Sequence, residues 1–123
     1  MNRPEPGKKR YFDFERLAVY QSARKVLAML LPFLKKQRRK AGSTADHLDR
    51  ALDSIVLNIA EGAGKERGSR DRARFYRIAL GSAKEAGAAL DLLGVRGLIA
   101  HDIGADAREL LLEIVSMLHA MSR

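Results

Sequence analysis

Apolar residues recur along the chain at intervals of three and four, the spacing that places side chains on one face of an α-helix. In the first such segment Asp13 can cap a helix that begins at Phe14. Pro32 lacks a backbone N–H and disfavours helical geometry in the residue before it, so we expect the helix to break or kink there. The polar run Lys35–Lys40 is then a short extension or a loop.

The breaker and cap residues 42–44 (Gly, Ser, Thr) predict the start of a second helix. Its regular apolar stripe consists of Leu48, Leu52, Ile55 and Ile59. Gly62 and Gly64 can end this helix in a left-handed turn.

Ser69 is the predicted cap of a third helix, which Gly94 and Gly97 stop. Its expected inward face comprises Phe75, Ile78, Ser82, Ala86, Ala89 and Leu93. A fourth amphipathic segment covers about residues 105–121. The sequence therefore predicts an all-α, up-and-down four-helix bundle in residues 13–123, preceded by a flexible basic tail in residues 1–12.

Composition narrows the class of protein. The 123 residues include no cysteine, which excludes disulfides, thiolate metal sites and a cysteine nucleophile. The N-terminal residues are polar, and the longest apolar run is shorter than a membrane span. We expect a cytoplasmic protein without membrane contact.

The net charge of +8 is unevenly distributed along the chain. Residues 1–40 hold 12 basic and 3 acidic side chains, and residues 65–84 hold 7 and 2. The segments 41–64 and 85–123 are both net acidic. Such segregated basicity favours contact with a polyanion.

A row of cations on the third helix is the clearest candidate for that contact. Arg70, Arg74, Arg77 and Lys84 fall on one side of the helix, away from its apolar face. Two more basic clusters strengthen the case: residues 35–40 carry five cations in six positions, and Lys8, Lys9 and Arg10 add a basic tail. The expected nucleic-acid-binding residues are Lys35, Lys36, Arg38, Arg39, Lys40, Lys65, Arg67, Arg70, Arg74, Arg77 and Lys84. The alternative is an ordinary solvated helix face. No aromatic residues interleave with these cations, so binding would rest on phosphate contacts with little sequence specificity.

Polar residues also interrupt the apolar helices. Ser54, Asn58 and Glu61 align on helix two, and Ser82 and Glu85 lie on or beside the core side of helix three. We expect a structural hydrogen-bonded network that fixes the helix register. The alternative, in which Glu61 and Glu85 form a carboxylate pair for metal or acid–base chemistry, lacks the Glu-x-x-His pattern of di-metal bundles.

A second apolar stripe on helix three consists of Tyr76, Leu80, Ala83 and Gly87. We expect it to form an interface between subunits of a homo-oligomer, although another helix of the same chain could cover it instead. The glycine-rich segment 62–69 departs from a phosphate-binding loop, and the three histidines are scattered. No catalytic group, metal site or cofactor is predicted, and the chain is expected not to be an enzyme.

Three segments carry a family resemblance: LAVYQSA, SIVLNIAEGAGK and RFYRIALGSAKEA. Over about residues 14–93 the chain resembles the bacterial four-helix-bundle proteins named for an open reading frame in intervening sequences of 23S rRNA genes. It is also similar to the accessory variability protein of diversity-generating retroelements. The family-pattern residues are Asn58, Glu61, Gly62, Gly64, Lys65, Arg74, Phe75, Gly81, Ser82 and Glu85.

The resemblance implies a barrel-like homopentamer of four-helix bundles without enzymatic activity. We therefore expect a basic homo-oligomer that binds DNA or structured RNA. The alternative is a protein-interaction scaffold or accessory subunit that docks an acidic partner such as a reverse transcriptase.

Overall fold

The computed structural model describes residues 10–123, except for the side chains of residues 37–41. Its helices are α1 (Ala18–Ala63), α2 (Arg70–Val95) and α3 (His101–Met121). Turns and loops join them, and no strand occurs among the described residues. The prediction of an all-α chain is confirmed for this part of the protein.

Gly42 interrupts α1. Its torsion angles (φ 55°, ψ −137°) are not helical, and glycine reaches them because it has no Cβ. A straight helix of 46 residues would be about 69 Å long, against about 39 Å for the 26 residues of α2. Val26 and Leu30 are nevertheless fully buried. The first arm of α1 (residues 18–41) therefore folds back on the second arm (residues 43–63), and the two arms supply two helices of a four-helix bundle.

The first arm continues through Pro32 in helical geometry, so of the break or kink expected at this residue, the break is wrong. A proline inside a helix removes one backbone hydrogen bond and costs about 3 kcal/mol. Leu30 and Leu34, on either side, are only 0% and 4% exposed. Their burial offsets the local cost, and the run Lys35–Lys40 extends the helix.

The start of α1 also differs from the prediction. Residues 13–16 form turns in which the N–H groups of Glu15 and Leu17 each donate to the carbonyl three residues earlier, at 3.1 Å. Leu17 has extended backbone (φ −71°, ψ 127°), and the helix begins at Ala18. Asp13 is therefore not the helix cap. The aromatic rings of this segment contact one another, which favours the turns over another helical turn.

Ser69 caps α2 as predicted, and its Oγ accepts a hydrogen bond of 3.1 Å from the Arg72 N–H. The predicted inward face is correct for Ser82, Ala86, Ala89 and Leu93, which are buried. Phe75 is only half-buried and Ile78 is 40% exposed. The core side instead also includes Tyr76, Ala79, Ala83 and Leu90. Because α2 packs against both the second arm of α1 and α3, its buried side is wider than one stripe.

The helices are antiparallel to their neighbours. Ser54 on the second arm meets Ser82 on α2, and closer to Gly42 His47 meets Glu85. Arg77, early in α2, donates to the Ser122 carbonyl just after α3. One continuous core joins all three elements, and the largest fully buried aliphatic side chains are Leu30, Leu48, Leu52, Ile55, Ile59, Leu93, Ile114 and Leu118.

α3 begins four residues earlier than predicted and ends at Met121 as expected. Its buried residues are Ala107, Leu110, Leu111, Ile114 and Leu118. Within the described part of the chain, no helix combines the length and the apolar character needed to cross a bilayer.

Candidate nucleic-acid interface

The predicted cation row lies on the outer side of α2. Arg70, Arg74, Arg77 and Lys84 are all exposed, opposite the side that the bundle buries. The loop of residues 64–69 leads directly into α2, so it lies at the same end of the bundle as the beginning of the row. In that loop Arg67 is exposed and Lys65 is half-buried.

Asp71 partly neutralises this surface. Its Oδ1 lies 3.2 Å from Arg74 Nη2, and its Oδ2 lies 3.9 Å from Lys65 Nζ. Lys65 also pairs with Glu61 at 3.9 Å. Both cations stand over the Phe75 ring, Lys65 at 5.4 Å and Arg74 at 4.6 Å from its centroid. The carboxylate and the ring therefore lie next to two of the predicted nucleic-acid-binding cations.

The other predicted cations of α2 and its preceding loop have different surroundings. Arg77 Nη1 donates to the Ser122 carbonyl at 3.1 Å, which ties the row to the end of α3. Arg67, Arg70 and Lys84 form no ion pair with the residues that the structure describes. Exposed ion pairs contribute only about 0–1 kcal/mol, so an arriving phosphate can compete with Asp71 for Arg74.

The second predicted cluster is not part of this row. Lys35 and Lys36 are exposed on the first arm of α1. Two side chains of α1 that contact α2, Ser54 and His47, belong to the second arm. Arg10 is exposed. Outside the described part of the protein lie the tail residues Lys8 and Lys9 and the side chains of Arg38, Arg39 and Lys40. The two described sets of cations therefore belong to different helices.

Arg72 is a cation that the sequence reasoning missed because it lies off the outward row. Its Nη1 donates to the carbonyls of Ala63 (3.3 Å) and Lys65 (3.0 Å). The guanidinium also lies 5.4 Å from the centroid of the Tyr76 ring. Carbonyls at a helix end lack intrahelical partners, so Arg72 caps α1 and fixes the loop beside the cation row.

Gly62 lies inside α1 against Tyr76 and does not form a left-handed turn. A Cβ at Gly62 would stand 2.6 Å from Tyr76 Cε1. The helix ends one residue later, and Gly64 has a right-handed conformation (φ −82°), so the predicted left-handed ending is wrong. The absent side chain lets the Tyr76 ring approach the backbone of α1.

The Tyr76 hydroxyl is buried and has no hydrogen-bond partner among the described residues. Burial raises the pKa of this phenol above its usual 10.0, while the nearby positive charge of Arg72 acts in the opposite direction. Tyr76 therefore contributes to packing as an uncharged ring at neutral pH.

Three members of the predicted polar network are joined by hydrogen bonds. The Ser54 and Ser82 hydroxyl oxygens lie 2.7 Å apart, and Asn58 Nδ2 donates to the Ser54 hydroxyl at 3.1 Å. Ser82 donates its single hydroxyl proton to the Ile78 carbonyl at 3.1 Å, so Ser54 is the donor toward Ser82. This chain of bonds fixes the register of the second arm against α2.

Glu61 and Glu85 do not belong to that network. Both are exposed, Glu61 beside Lys65 and Glu85 with its Oε1 3.7 Å from His47 Nδ1. The prediction that they belong to the polar network between the helices is therefore wrong, because at these helical positions the carboxylates point outward. In the described part of the chain, no three His, Asp or Glu side chains are grouped as metal ligands would be.

The four residues of the predicted subunit interface do not share one environment in the fold. Tyr76 and Ala83 are each 1% exposed within the core of the single chain, which corrects their assignment to a surface. Leu80 and Gly87 remain half-buried. The sequence could not separate these positions because it did not show which neighbouring helix covers each of them; the Tyr76 ring packs against Gly62 of α1.

The fold and the surface together define a class of protein, a small helical bundle with a strip of cations on the outside of one helix. Residues 15–120 match the sequence model of the 23S rRNA-intervening sequence protein family, and the chain belongs to this family. The match continues through most of α3, beyond the residues that carried the resemblance. A comparison with curated proteins finds no match.

Proposed function

We propose that this protein binds DNA or structured RNA without catalysis, through phosphate contacts from the outer side of α2. The observation that carries the proposal is the exposure of Arg70, Arg74, Arg77 and Lys84 along one side of a rigid helix. Phosphate contacts of this type are insensitive to base sequence and weaken with salt. The net charge of +8 favours the approach of a polyanion from a distance.

The test measures affinity for duplex DNA and for a structured RNA across a salt series. The variant Arg70→Gln/Arg74→Gln/Lys84→Gln removes three cations of the row without touching Arg72 or Arg77. Each lost phosphate contact should reduce the slope of log affinity against log salt by about 0.9 for duplex DNA, or about 2.7 for three contacts. A matched control, Arg24→Gln/Lys25→Gln/Arg96→Gln, removes the same charge from other exposed positions.

A large loss in the row variant with a small loss in the control supports the proposal. Equal losses would overturn it, because only net charge would then matter. Undetectable binding at about 50 mM salt would also overturn it. In that case the accessory role, in which the cations dock an acidic protein such as a reverse transcriptase, becomes the better hypothesis.

We also propose that the protein forms a homo-oligomer, with the pentamer implied by the family resemblance as the expected state. An open groove of about 480 Å³ lies between the end of α2 and the start of α3. Val95 at its edge is 79% exposed. A Cβ at Gly87 or Gly94 would meet no atom within 4 Å in the described chain, although glycine inside a helix costs about 1 kcal/mol relative to alanine. A second subunit packed closely at the groove would account for these glycines.

Sedimentation of Val95→Asp tests the oligomer. We expect a lower mass for this variant and an unchanged mass for Leu57→Asp, which places the same charge at another exposed apolar position. A wild-type monomer, or an oligomer that both variants leave intact, would contradict this interface.

A further inference from the structure

Three aromatic rings contact one another where the turns of residues 13–16 lead into α1. Tyr20, half-buried on the first arm, contacts the Phe14 ring at a centroid distance of 4.6 Å. The Phe12 ring lies parallel to Phe14, with centroids 5.3 Å apart and planes within 4°. Phe12 is 67% exposed, so the side of its ring away from Phe14 faces solvent. The stack of Phe12 on Phe14 therefore ends in an aromatic surface that the described residues leave exposed.

Backbone hydrogen bonds hold this segment in place. The Glu15 N–H donates to the Phe12 carbonyl and the Leu17 N–H donates to the Phe14 carbonyl, both at 3.1 Å. The Gln21 side chain donates to the Glu15 carbonyl, also at 3.1 Å. An aromatic ring that is already ordered loses little conformational entropy when a ligand stacks on it.

The chemistry beside Phe12 favours a base over a phosphate. An open cleft of about 350 Å³ is lined by Arg10, Tyr11, Phe12 and Glu15. Arg10 and Glu15 carry opposite charges, so these two lining side chains together give no net attraction to a phosphate group. A carboxylate accepts hydrogen bonds from the N–H groups at base edges, whereas it repels phosphate oxygens. Arg16 lies over the Tyr11 ring, 4.0 Å from its centroid, so among the described lining residues Phe12 offers the more exposed aromatic face.

We propose that the exposed face of Phe12 stacks an unpaired nucleobase of single-stranded nucleic acid. The inference rests on the proposed nucleic-acid binding but assigns a different contact to a different surface. The first arm runs antiparallel to the second, so this aromatic surface and the loop that precedes α2 lie at the same end of the bundle. A strand held by phosphate contacts there could place one unpaired base on Phe12.

Tryptophan fluorescence tests the stacking directly. The chain contains no tryptophan, so Phe12→Trp introduces the only indole. We expect a short single-stranded DNA to quench its emission, and an abasic strand with the same number of phosphates to leave it nearly unchanged. Leu57→Trp is the matched control, because Leu57 is 64% exposed on the second arm and should show no base-dependent quenching. Equal quenching by the two strands at Phe12→Trp would overturn the proposal.

Affinity provides the second measurement. Phe12→Ala should weaken binding of the base-containing strand by about 5- to 150-fold and leave the abasic strand unaffected, which corresponds to about 1–3 kcal/mol for one stacked base. Leu57→Ala should change neither affinity, and circular dichroism should show that each variant folds. A changed oligomer mass with unchanged strand affinity would assign Phe12 to a protein contact and overturn the proposal.

The two proposals can fail independently. Loss of base-dependent binding in Phe12→Ala, with no salt-dependent duplex binding by the wild type, would support the stacking site and refute the phosphate row. Salt-dependent duplex binding that needs the α2 cations, with no effect of Phe12→Ala on any single strand, would support the row and refute the stacking site.

Discussion

Replacing Gly62 with alanine would place a methyl group 2.6 Å from Tyr76 Cε1 and 2.8 Å from Tyr76 Cδ1. The tyrosine is only 1% exposed, so its ring cannot move aside into solvent. Overpacking of this kind costs about 1–3 kcal/mol, and contacts this short favour the upper half of that range. Alanine recovers about 1 kcal/mol through its higher helix propensity. We expect a net loss of about 1–2 kcal/mol in the free energy of unfolding.

Urea unfolding followed by circular dichroism, at one protein concentration, measures this loss. Gly81→Ala is the control, because Gly81 is exposed inside α2 and its Cβ would meet no described atom within 4 Å; we expect it to gain about 1 kcal/mol. In a Tyr76→Leu background the ring is absent, so Gly62→Ala should become stabilising. The proposed close contact is refuted if both glycine variants are stabilising, or if Tyr76→Leu leaves the effect of Gly62→Ala unchanged.

Tyr76→Phe removes a buried hydroxyl without a described partner, so urea unfolding at pH 7 should show equal or higher stability, by up to about 2 kcal/mol; a clear loss would reveal a hidden hydrogen bond. Because burial raises the pKa of Tyr76 in the folded state, the unfolded chain releases this proton at a lower pH than the folded chain does. Above about pH 10 the free energy of unfolding should therefore fall more steeply with pH in the wild type than in Tyr76→Phe, and parallel plots of stability against pH would contradict this. Arg72→Gln breaks two hydrogen bonds to carbonyls and should lower the free energy of unfolding by about 1–3 kcal/mol. The control Arg70→Gln, at an exposed position, should change it by no more than about 0.5 kcal/mol, and similar losses in the two variants would refute the capping role of Arg72. Ser82→Ala removes the acceptor of the Ser54 hydroxyl and should cost about 1 kcal/mol in the same assay, and an unchanged midpoint would exclude a stabilising role.

The outward direction of the α2 cations could be predicted because it depends on helical periodicity alone. Arg70 and Lys84 are exposed for the same reason that Ser82 and Ala86 are buried. The pairing of Arg74 with Asp71 was not predicted, because ion pairs depend on side-chain conformations that periodicity does not specify. The aromatic surface at Phe12 was missed for a related reason: stacking of Phe12 on Phe14 requires turns, whereas the sequence pattern extended the helix to Phe14.

The sequence by itself determined the all-helical class, the cap at Ser69, the separation of the first two helices at Gly42 and the basic outer side of α2. These properties follow from local geometry, namely a period of 3.6 residues, the hydrogen-bonding capacity of serine and the absence of a Cβ. Only the tertiary structure decided that Pro32 stays inside a helix, that Gly62 receives the Tyr76 ring and that Ala83 is in the core. Each of these depends on which neighbouring helix approaches and from which direction, because packing energy between helices exceeds the local preferences of single residues.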